Sequence, residues 1–277
     1  MKITFIGGGN MTAALIGGMA RAKNPPDIAV IDRNPEKRRA LRRRFGVAAS
    51  ASAAAEKGRR TAAEADMLIL AVKPQDMRAA CAAIPPGADI IISIAAGLSL
   101  RTIAGWLPFA PKNIARIMPN TPSAVAAGMS VCCGKISAKA KTQISAAFRA
   151  AGEVLWLKDE SMLAAATAVS GSGPAYLYYF AEAMQESAVN LGFSAAEARF
   201  LVSQTLRGGG AMLAQSGESS SDLRRAVMSK GGTTERAIAA LETGNLKKIV
   251  RQAMRACHAR ALEMEKIDAE KPPGGKR

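Results

Sequence analysis

The sequence predicts an α/β protein in which a doubly wound, mostly parallel β-sheet is followed by an all-α C-terminal domain. Apolar runs typical of buried strands alternate with helical patterns up to about residue 158, as expected for a parallel sheet with helices on both faces. Beyond that point no strand pattern recurs, and the chain is rich in alanine and helical in periodicity. A glycine-rich turn directly after the first strand indicates a sheet domain of the Rossmann type.

The first strand and helix enclose this turn. Lys2–Ile6 is a β-branched and aromatic run, Gly7-Gly8-Gly9 follows at once, and Thr12–Met19 begins a helix. Glycines let the backbone turn tightly and approach a pyrophosphate, whose charge is stabilised by free N–H groups at a helix N-terminus. Ala13 and Ala14 stand where a third glycine often permits close packing of helix on strand. The segment therefore predicts dinucleotide binding.

The second predicted strand, Asp27–Asp32, ends on an acid that bears on the choice of cofactor. Asp32 lies 23 residues after Gly9, where a carboxylate commonly accepts hydrogen bonds from the adenosine ribose and favours NAD. Arg33 follows directly and could hold a 2′-phosphate, which favours NADP. Both cofactors stay open at this point, as does a purely structural role for Asp32 as a strand-end cap.

Polar and small residues follow the remaining strands. Further strands are predicted at about 67–72, 89–95, 113–118, 129–133 and 154–157, with helices at about 34–45, 77–83, 100–107 and 137–151. Lys73-Pro74, Ala95-Ala96 and Asn120 come just after three of these strands. Because an open α/β sheet binds its ligand outside the carboxyl ends of its strands, we expect these residues to line the same site as the glycine turn.

The second half of the chain is predicted to be helical throughout. Its helices are expected at about 161–168, 174–191, 194–214, 220–227, 233–243 and 245–267. The predicted domains are residues 1–158 and 159–270, followed by a polar tail, 271–277, that we expect to be disordered.

Two glycine-rich stretches interrupt the helical half, at Val169–Ala175 and Met228–Glu235. Serine and threonine hydroxyls together with free N–H groups at a helix start suit a small carboxylate ligand. Ordinary helix capping by Ser229 or Thr233 is the alternative interpretation.

The net charge of +16 raises the question of nucleic-acid binding. Basic residues cluster at Lys37–Arg44, but aromatic residues make up only 4% of the chain and no zinc-finger, RNP-like or basic-zipper pattern is present. A solvated helix face is the favoured interpretation of the cluster, and a contribution to holding cofactor phosphate comes second. We therefore predict that nucleic acid is not a partner.

Cysteine and histidine usage argues against metal chemistry. The four cysteines show no ligand spacing and His258 is the only histidine, whereas a zinc site or a Ser-His-Asp triad ordinarily needs more. The start of the chain lacks a signal-peptide pattern, and the apolar stretches at 90–100 and 161–181 are too short or are interrupted by glycine and proline. We predict no metal, no membrane association and a reducing, cytoplasmic location.

Six motifs along the chain resemble one family. They are Phe5–Met11, Ala71–Pro74, Ser93–Gly97, Met118–Pro122, Ser170–Tyr176 and Ser229–Thr234. Their order and spacing, as far as about Leu241, resemble pyrroline-5-carboxylate reductases. The resemblance implies reduction of 1-pyrroline-5-carboxylate to L-proline, the last step of proline synthesis, with NADP(H) or NAD(H) as cofactor. It also implies a homodimer formed by interlocking helices of the C-terminal domain, which in many family members assembles into a ring of dimers.

The resemblance further implies roles for individual residues. The cofactor-binding residues would be Ile6, Gly7, Gly8, Gly9, Asn10 and Met11 at the pyrophosphate, Asp32 and Arg33 at the adenosine ribose or its phosphate, and Ala71, Val72, Lys73, Pro74, Ala95, Ala96 and Asn120 along the remainder. The substrate-binding residues would be Ser172, Ser229, Gly231, Gly232, Thr233 and Thr234, with the loop at 229–234 supplied by the partner subunit. Thr234 is the candidate catalytic residue, because its hydroxyl could hydrogen-bond the ring nitrogen.

The sequence also departs from the family and leaves alternatives open. Lys230 stands where the family usually has proline, and residues 48–60 match poorly. A protonated cyclic imine is already a strong electrophile, so alignment with the hydride donor could suffice. A hydroxy-acid dehydrogenase of similar architecture would need an acid, which relatives supply as a lysine after the glycine motif, and Tyr176–Glu182 has none. That activity is the alternative, a nucleotide-responsive binding protein is the third, and Lys73 is expected beside phosphate rather than as a proton donor.

Overall fold

The computed structural model describes residues 1–269, and its N-terminal half is built on one eight-stranded sheet. The strands are β1 (Lys2–Ile6), β2 (Asp27–Ile31), β3 (Ala48–Ser50), β4 (Met67–Leu70), β5 (Ile90–Ser93), β6 (Asn113–Met118), β7 (Gly128–Lys135) and β8 (Gly152–Trp156). Their spatial order is β3-β2-β1-β4-β5-β6-β7-β8, and only the β6–β7 pair is antiparallel among these strands. The order reverses beside β1, as in a Rossmann sheet, which confirms the predicted doubly wound, mostly parallel fold.

Helices cover the sheet and then make up all of the regular structure that follows β8 in the described chain. They are α1 (Asn10–Met19), α2 (Pro35–Phe45), α3 (Glu56–Ala63), α4 (Pro74–Ala82), α5 (Leu100–Trp106), α6 (Ala138–Arg149), α7 (Met162–Ala166), α8 (Gly173–Asn190), α9 (Ala195–Gln215), α10 (Ser220–Ala226), α11 (Thr233–Thr243) and α12 (Leu246–Ala269). The predicted all-helical C-terminal half is confirmed. The sequence patterns missed β3 and α3, because this three-residue edge strand and short helix lack an apolar run.

The sheet is buried on both faces. In β4, Met67 and Ile69 belong to the core on one face, whereas Leu68 and Leu70 belong to the core on the other. All four side chains are fully buried. This two-sided burial explains why the strand is a continuous apolar run rather than an alternating one.

Close packing of α1 depends on Gly18 in addition to the predicted small residues, of which Ala14 is buried and Ala13 packs against the core. A Cβ placed on Gly18 would lie 2.6 Å from the Cβ of Ala151 and would also collide with the carbonyl oxygen of Ser123. Only a glycine lets the helix backbone come this near to the neighbouring segments. Gly18 is thus a further small residue of α1 on which close packing depends.

The chain divides into two compact units. Among the described residues, the first comprises Met1–Ser172 together with 257–269, and the second is Gly173–Ala256. Helix α12 contributes to both units, and α7 belongs to the sheet unit. The division predicted after residue 158 marks the end of the strands and stays a prediction as a domain boundary. The predicted tail at 271–277 lies outside the described residues.

The second unit buries little of its apolar surface. Helix α8 packs against α9. The second unit nevertheless has only three buried residues in the described structure, which are Pro174, Ala198 and Val202. Large apolar side chains are exposed instead, among them Leu191 at 82%, Tyr179 at 77% and Phe200 at 75%. No helix within residues 1–269 is both long and apolar enough to cross a membrane.

Candidate functional site

The glycine turn lies at the carboxyl end of β1 and is shaped by the neighbouring strands. Gly7 has φ +109°, and a Cβ there would approach the carbonyl oxygen of Ala71 to 2.7 Å, so only glycine fits. Its N–H donates to the carbonyl of Ile31 at 2.8 Å. Gly9 is the N-cap of α1 and has no atom within 4 Å of its Cβ position, so the turn is open on that side. This is the shape required for a pyrophosphate to approach the backbone.

The first turn of α1 offers donors to such a group. Gly9 has no side chain with which to cap the helix, and the hydroxyl of Thr12 donates to the carbonyl of Gly7 at 2.7 Å instead of capping. The N–H groups at the helix start therefore keep their capacity to bind an anion. The residues present fit a dinucleotide phosphate.

The Asp32 side chain links the glycine turn after β1 to the turn after β2. One carboxylate oxygen accepts the Gly8 N–H at 2.6 Å, and the other accepts the Asn34 N–H at 2.7 Å. Asn34 in turn caps α2, as its position before Pro35 suggests, by accepting the N–H groups of Glu36 and Lys37. Asp32 thus has the structural role at the end of β2 that the sequence left open. Its carboxylate still has lone pairs that can accept a hydrogen bond from a ribose hydroxyl.

Arg33 lies beside this end of the sheet and is exposed. Its guanidinium forms an ion pair with Asp76 of α4, Nη2 to Oδ1, at 3.0 Å. The Arg33 side chain is 83% exposed, so the pair is screened by solvent and easily exchanged for another anion. Sequence reasoning missed Asp76; its only signal was an acid in the first turn after Lys73-Pro74.

The basic cluster on α2 is partly structural. Arg38 donates to the carbonyl oxygens of Asp32 at 2.6 Å and Arg33 at 2.9 Å, and Arg42 donates to the carbonyl of Ala49. The Arg44 guanidinium lies 4.9 Å from the ring centroid of Phe45. Arg38 and Arg42 therefore stabilise the edge of the sheet around β2 and β3.

Two further turns follow at the same edge. The segment Ala71–Pro74 leaves β4 and enters α4, with Lys73 as N-cap and Pro74 in the first turn. After β5, the N–H of Ala95 donates to the hydroxyl of Ser93 at 3.3 Å, and Ala96 begins the turn that contains Gly97. Because β1, β2, β4 and β5 are parallel neighbours, these turns and the glycine turn share one sheet edge, as predicted.

Asn120 is buried and uses its side-chain amide within the protein. Its oxygen accepts the Met129 N–H at 2.8 Å, and its nitrogen donates to the carbonyl of Ser170 at 3.0 Å. The amide therefore joins the end of β6 to the serine-glycine motif. The assignment of Asn120 as a cofactor contact stays a prediction, with this structural role beside it.

The serine-glycine motif is built as a π-helical turn. Thr167–Gly171 has π geometry, and the Ser172 N–H donates to the carbonyl of Thr167 at 2.8 Å. Such turns are rare in helices and are often found at functional sites. The Ser172 hydroxyl lies 3.3 Å from the Cys257 sulfur, within the same unit.

The loop at 229–234 lies in the second unit and begins α11. Gly231 has φ +75°, and its N–H donates to the carboxylate of Glu235 at 2.6 Å. A Cβ on Gly232, the N-cap, would overlap the Ser229 hydroxyl and lie 3.0 Å from the Ser229 carbonyl oxygen, so Ser229 would have to shift. Because Gly232 has no capping side chain, the N–H groups of Thr233 and Thr234 can bind an anion. The Ser229 and Lys230 side chains are exposed.

No group of three or more histidine, cysteine, aspartate or glutamate side chains within 1–269 is arranged to hold a metal ion.

Comparisons with known proteins agree with this arrangement. Residues 2–97 match the model for NADP oxidoreductase coenzyme F420-dependent proteins, and residues 160–264 match the model for pyrroline-5-carboxylate reductase dimerisation. A pyrroline-5-carboxylate reductase of Pseudomonas aeruginosa is 37% identical over 270 residues, which are 95% of this chain and 96% of that protein.

Solved structures extend the likeness to three dimensions. A pyrroline-5-carboxylate reductase from Coxiella burnetii superposes with a TM-score of 0.83 at 36% identity, over 95% of this chain and 97% of that one. A pyrroline carboxylate reductase of Plasmodium falciparum with NADP bound has a TM-score of 0.83 at 26% identity, over 96% and 98% of the two chains. The chain therefore belongs to the pyrroline-5-carboxylate reductase family.

Proposed function

We propose that this protein catalyses the last step of proline synthesis, the NAD(P)H-dependent reduction of 1-pyrroline-5-carboxylate to L-proline. The observation that carries the proposal is the loop at 229–234, in which two glycines, a serine and two threonines surround the uncapped start of α11. Such a site suits a small carboxylate with a neighbouring ring nitrogen. The 37% identical relative from Pseudomonas aeruginosa supports the same activity.

The cofactor is NADPH or NADH, which supplies a hydride to the substrate when bound. Ile6–Met11 bind the pyrophosphate, and Arg33 with Asp32 contacts the adenosine ribose or its 2′-phosphate. Ala71–Pro74 and Ala95-Ala96 line the remainder, with Asn120 behind them. The exposed guanidinium of Arg33 and the open side of Gly9 support this assignment.

The substrate is held through its carboxylate and its ring nitrogen. Ser229 and Gly231–Thr234 bind the carboxylate, with Ser172 as a further contact. The Thr234 hydroxyl hydrogen-bonds the ring nitrogen and fixes the orientation of the imine carbon. No strong acid is required, because a cyclic imine can be protonated before hydride arrives, and the rate then depends mainly on alignment.

The protein works as a homodimer in the cytoplasm, formed through the helical unit and able to assemble into a ring of dimers. The exposed apolar side chains of that unit support association, since a soluble monomer rarely leaves so much apolar surface in water. We propose that the loop at 229–234 of one subunit binds the substrate beside the cofactor of its partner, at the carboxyl ends of the partner's β-strands. The substrate is the only other partner proposed; nucleic acid and membranes are not.

One assay tests the function against its alternatives. Purified protein is mixed with NADPH or NADH and pyrroline-5-carboxylate, and nicotinamide oxidation is compared with turnover of β-keto acids, and of β-hydroxy acids with the oxidised cofactors. The proposal expects turnover with the imine alone. Turnover restricted to hydroxy or keto acids would establish the dehydrogenase alternative. Dinucleotide binding without any turnover would favour a binding protein.

A further inference from the structure

A buried arginine beside the Ala95–Gly97 turn is not explained by the proposed chemistry. Arg116 lies on β6, opposite Ser93 of β5 in the sheet register, and its side chain is only 6% exposed. A buried guanidinium is costly unless it is paired and hydrogen-bonded. The partners of the Arg116 guanidinium therefore identify the segments of the chain that it holds together.

Arg116 binds two carboxylates that come from distant parts of the chain. Nη1 lies 2.7 Å from Oε1 of Glu160, just before α7, and Nη2 lies 3.0 Å from Oε1 of Glu265, near the end of α12. The same Glu160 oxygen accepts the Leu100 N–H at 2.7 Å, at the start of α5. The Arg116–Glu160 pair is thus hydrogen-bonded to the backbone of Leu100, shortly after the Ala95–Gly97 turn.

The second ion pair, between Arg116 and Glu265, lies where α12 packs against the turn. Gly97 has φ +80°, and a Cβ there would lie 3.0 Å from the Cβ of Met264, the neighbour of Glu265 in the chain. Glu265 is three-quarters buried. The Arg116–Glu265 pair therefore holds α12 where Met264 covers the turn, and all of these residues belong to the sheet unit.

We propose that Arg116, with Glu160 and Glu265, is a positioning group that fixes the Ala95–Gly97 turn in the shape needed to bind the nicotinamide half of the cofactor. None of the three contacts the cofactor in this scheme. They act through Leu100 and Met264, which bound the turn on its two sides. The inference rests on the proposed function for the role of Ala95-Ala96.

The test compares two glutamates on the same helix. Glu265→Gln keeps the side-chain volume but removes the charge that pairs with Arg116, whereas Glu263→Gln removes an equal charge from an exposed pair with Arg260 at 2.9 Å. The cofactor Kd is measured by nicotinamide fluorescence without substrate. Deuterium exchange of backbone amides 95–100 is followed in the cofactor-free protein, with β4 as the internal reference.

Glu265→Gln is expected to raise the cofactor Kd about 3- to 10-fold. It should also speed exchange at 95–100 while leaving exchange in β4 unchanged, and Glu263→Gln should change neither quantity. An unchanged Kd, or faster exchange throughout the sheet with a lowered Tm, would show that the network is merely structural and overturn the proposal.

A second variant protects the test against misfolding. Arg116→Lys keeps the charge, but a single ammonium cannot reproduce the paired geometry of the guanidinium. It should also raise the cofactor Kd, and an unchanged Kd in Arg116→Lys would refute the proposal in the same way as an unchanged Kd in Glu265→Gln. Because binding and exchange are measured without pyrroline-5-carboxylate, an inactive protein that still binds NADPH would disprove the proposed function and not this inference.

Discussion

The carboxylate of Asp32 accepts the backbone N–H of Gly8 at 2.6 Å and thereby joins the end of β2 to the glycine turn after β1. An acid at this position commonly serves the adenosine ribose. Here it also fixes the backbone that would receive the pyrophosphate. In the proposed cofactor site the Asp32 carboxylate keeps lone pairs for a ribose hydroxyl, and we predict that the exposed Arg33 distinguishes NADPH from NADH.

We expect Arg33→Ala to lower kcat/KM with NADPH by about 10-fold relative to NADH, because a charge-assisted contact to the 2′-phosphate is lost. Asp76→Asn should shift the ratio toward NADPH, since it releases Arg33 from its ion pair. Arg39→Ala, which removes an equal charge from an exposed position on α2, is the control. If the NADPH/NADH ratio is the same in all four proteins, Arg33 does not read the phosphate.

Thr234 can be tested with a nearly isosteric change. Thr234→Val should lower kcat/KM for pyrroline-5-carboxylate by roughly 10- to 100-fold, about 1.4–2.7 kcal/mol, because the ring nitrogen loses its hydrogen bond. Thr234→Ser should restore most of the rate. Thr243→Val, at the other end of α11, controls for the effect of valine on the helix. Unaltered steady-state kinetics of Thr234→Val would remove Thr234 from the mechanism.

The two neighbouring glycines of α1 should respond oppositely to alanine. Gly18→Ala is expected to destabilise the protein by roughly 1–3 kcal/mol, because its Cβ would overlap Ala151 and the Ser123 carbonyl. Gly17→Ala meets its nearest atom at 3.4 Å, an ordinary contact, and should stabilise the helix by up to about 1 kcal/mol. Urea unfolding measures both. Equal stabilities would contradict the close packing at Gly18.

Association through the helical unit predicts a specific sensitivity to charge. Phe200→Glu places a carboxylate on an apolar side chain that is 75% exposed in one chain, and it should shift the protein toward monomers by burying an unpaired charge at the interface. Val125→Glu, at a site in the sheet unit that is 61% exposed, should leave the assembly intact. Sedimentation velocity at micromolar concentration distinguishes the species. A monomeric wild type would argue against the homodimer.

The buried thiols predict a loss of stability at high pH. Burial raises the pKa of Cys81 and Cys132 to about 12, from an ordinary value of 9.0. Between these values the folded protein keeps protons that the unfolded chain has released, so stability is fully present below pH 9 and falls as the pH rises toward 12. Urea unfolding at several pH values should therefore show a shallower decline in Cys81→Ala/Cys132→Ala than in wild type. Parallel declines would mean that these thiols ionise alike in both states.

Local patterns were enough to predict the sheet, its helices and the edge at which the site lies. The continuous apolar run of β4 indicates burial on both faces of the sheet. A glycine turn between strand and helix predicts a backbone shape that can bind phosphate. These features depend on residues near one another in sequence. For the same reason the family resemblance could be recognised from short motifs, while the site residues transferred with it stay predictions.

The partner of each polar side chain, in contrast, depends on long-range packing. Asp32 binds Gly8, Asn120 binds Ser170, and Arg116 binds Glu265, 149 positions away. None of these pairs leaves a periodic signal, because the partners are brought together by the packing of whole elements. Residues close together in the chain are sufficient to define the elements and the edge where they converge, whereas long-range packing returns α12 to the sheet unit, where Met264 covers Gly97.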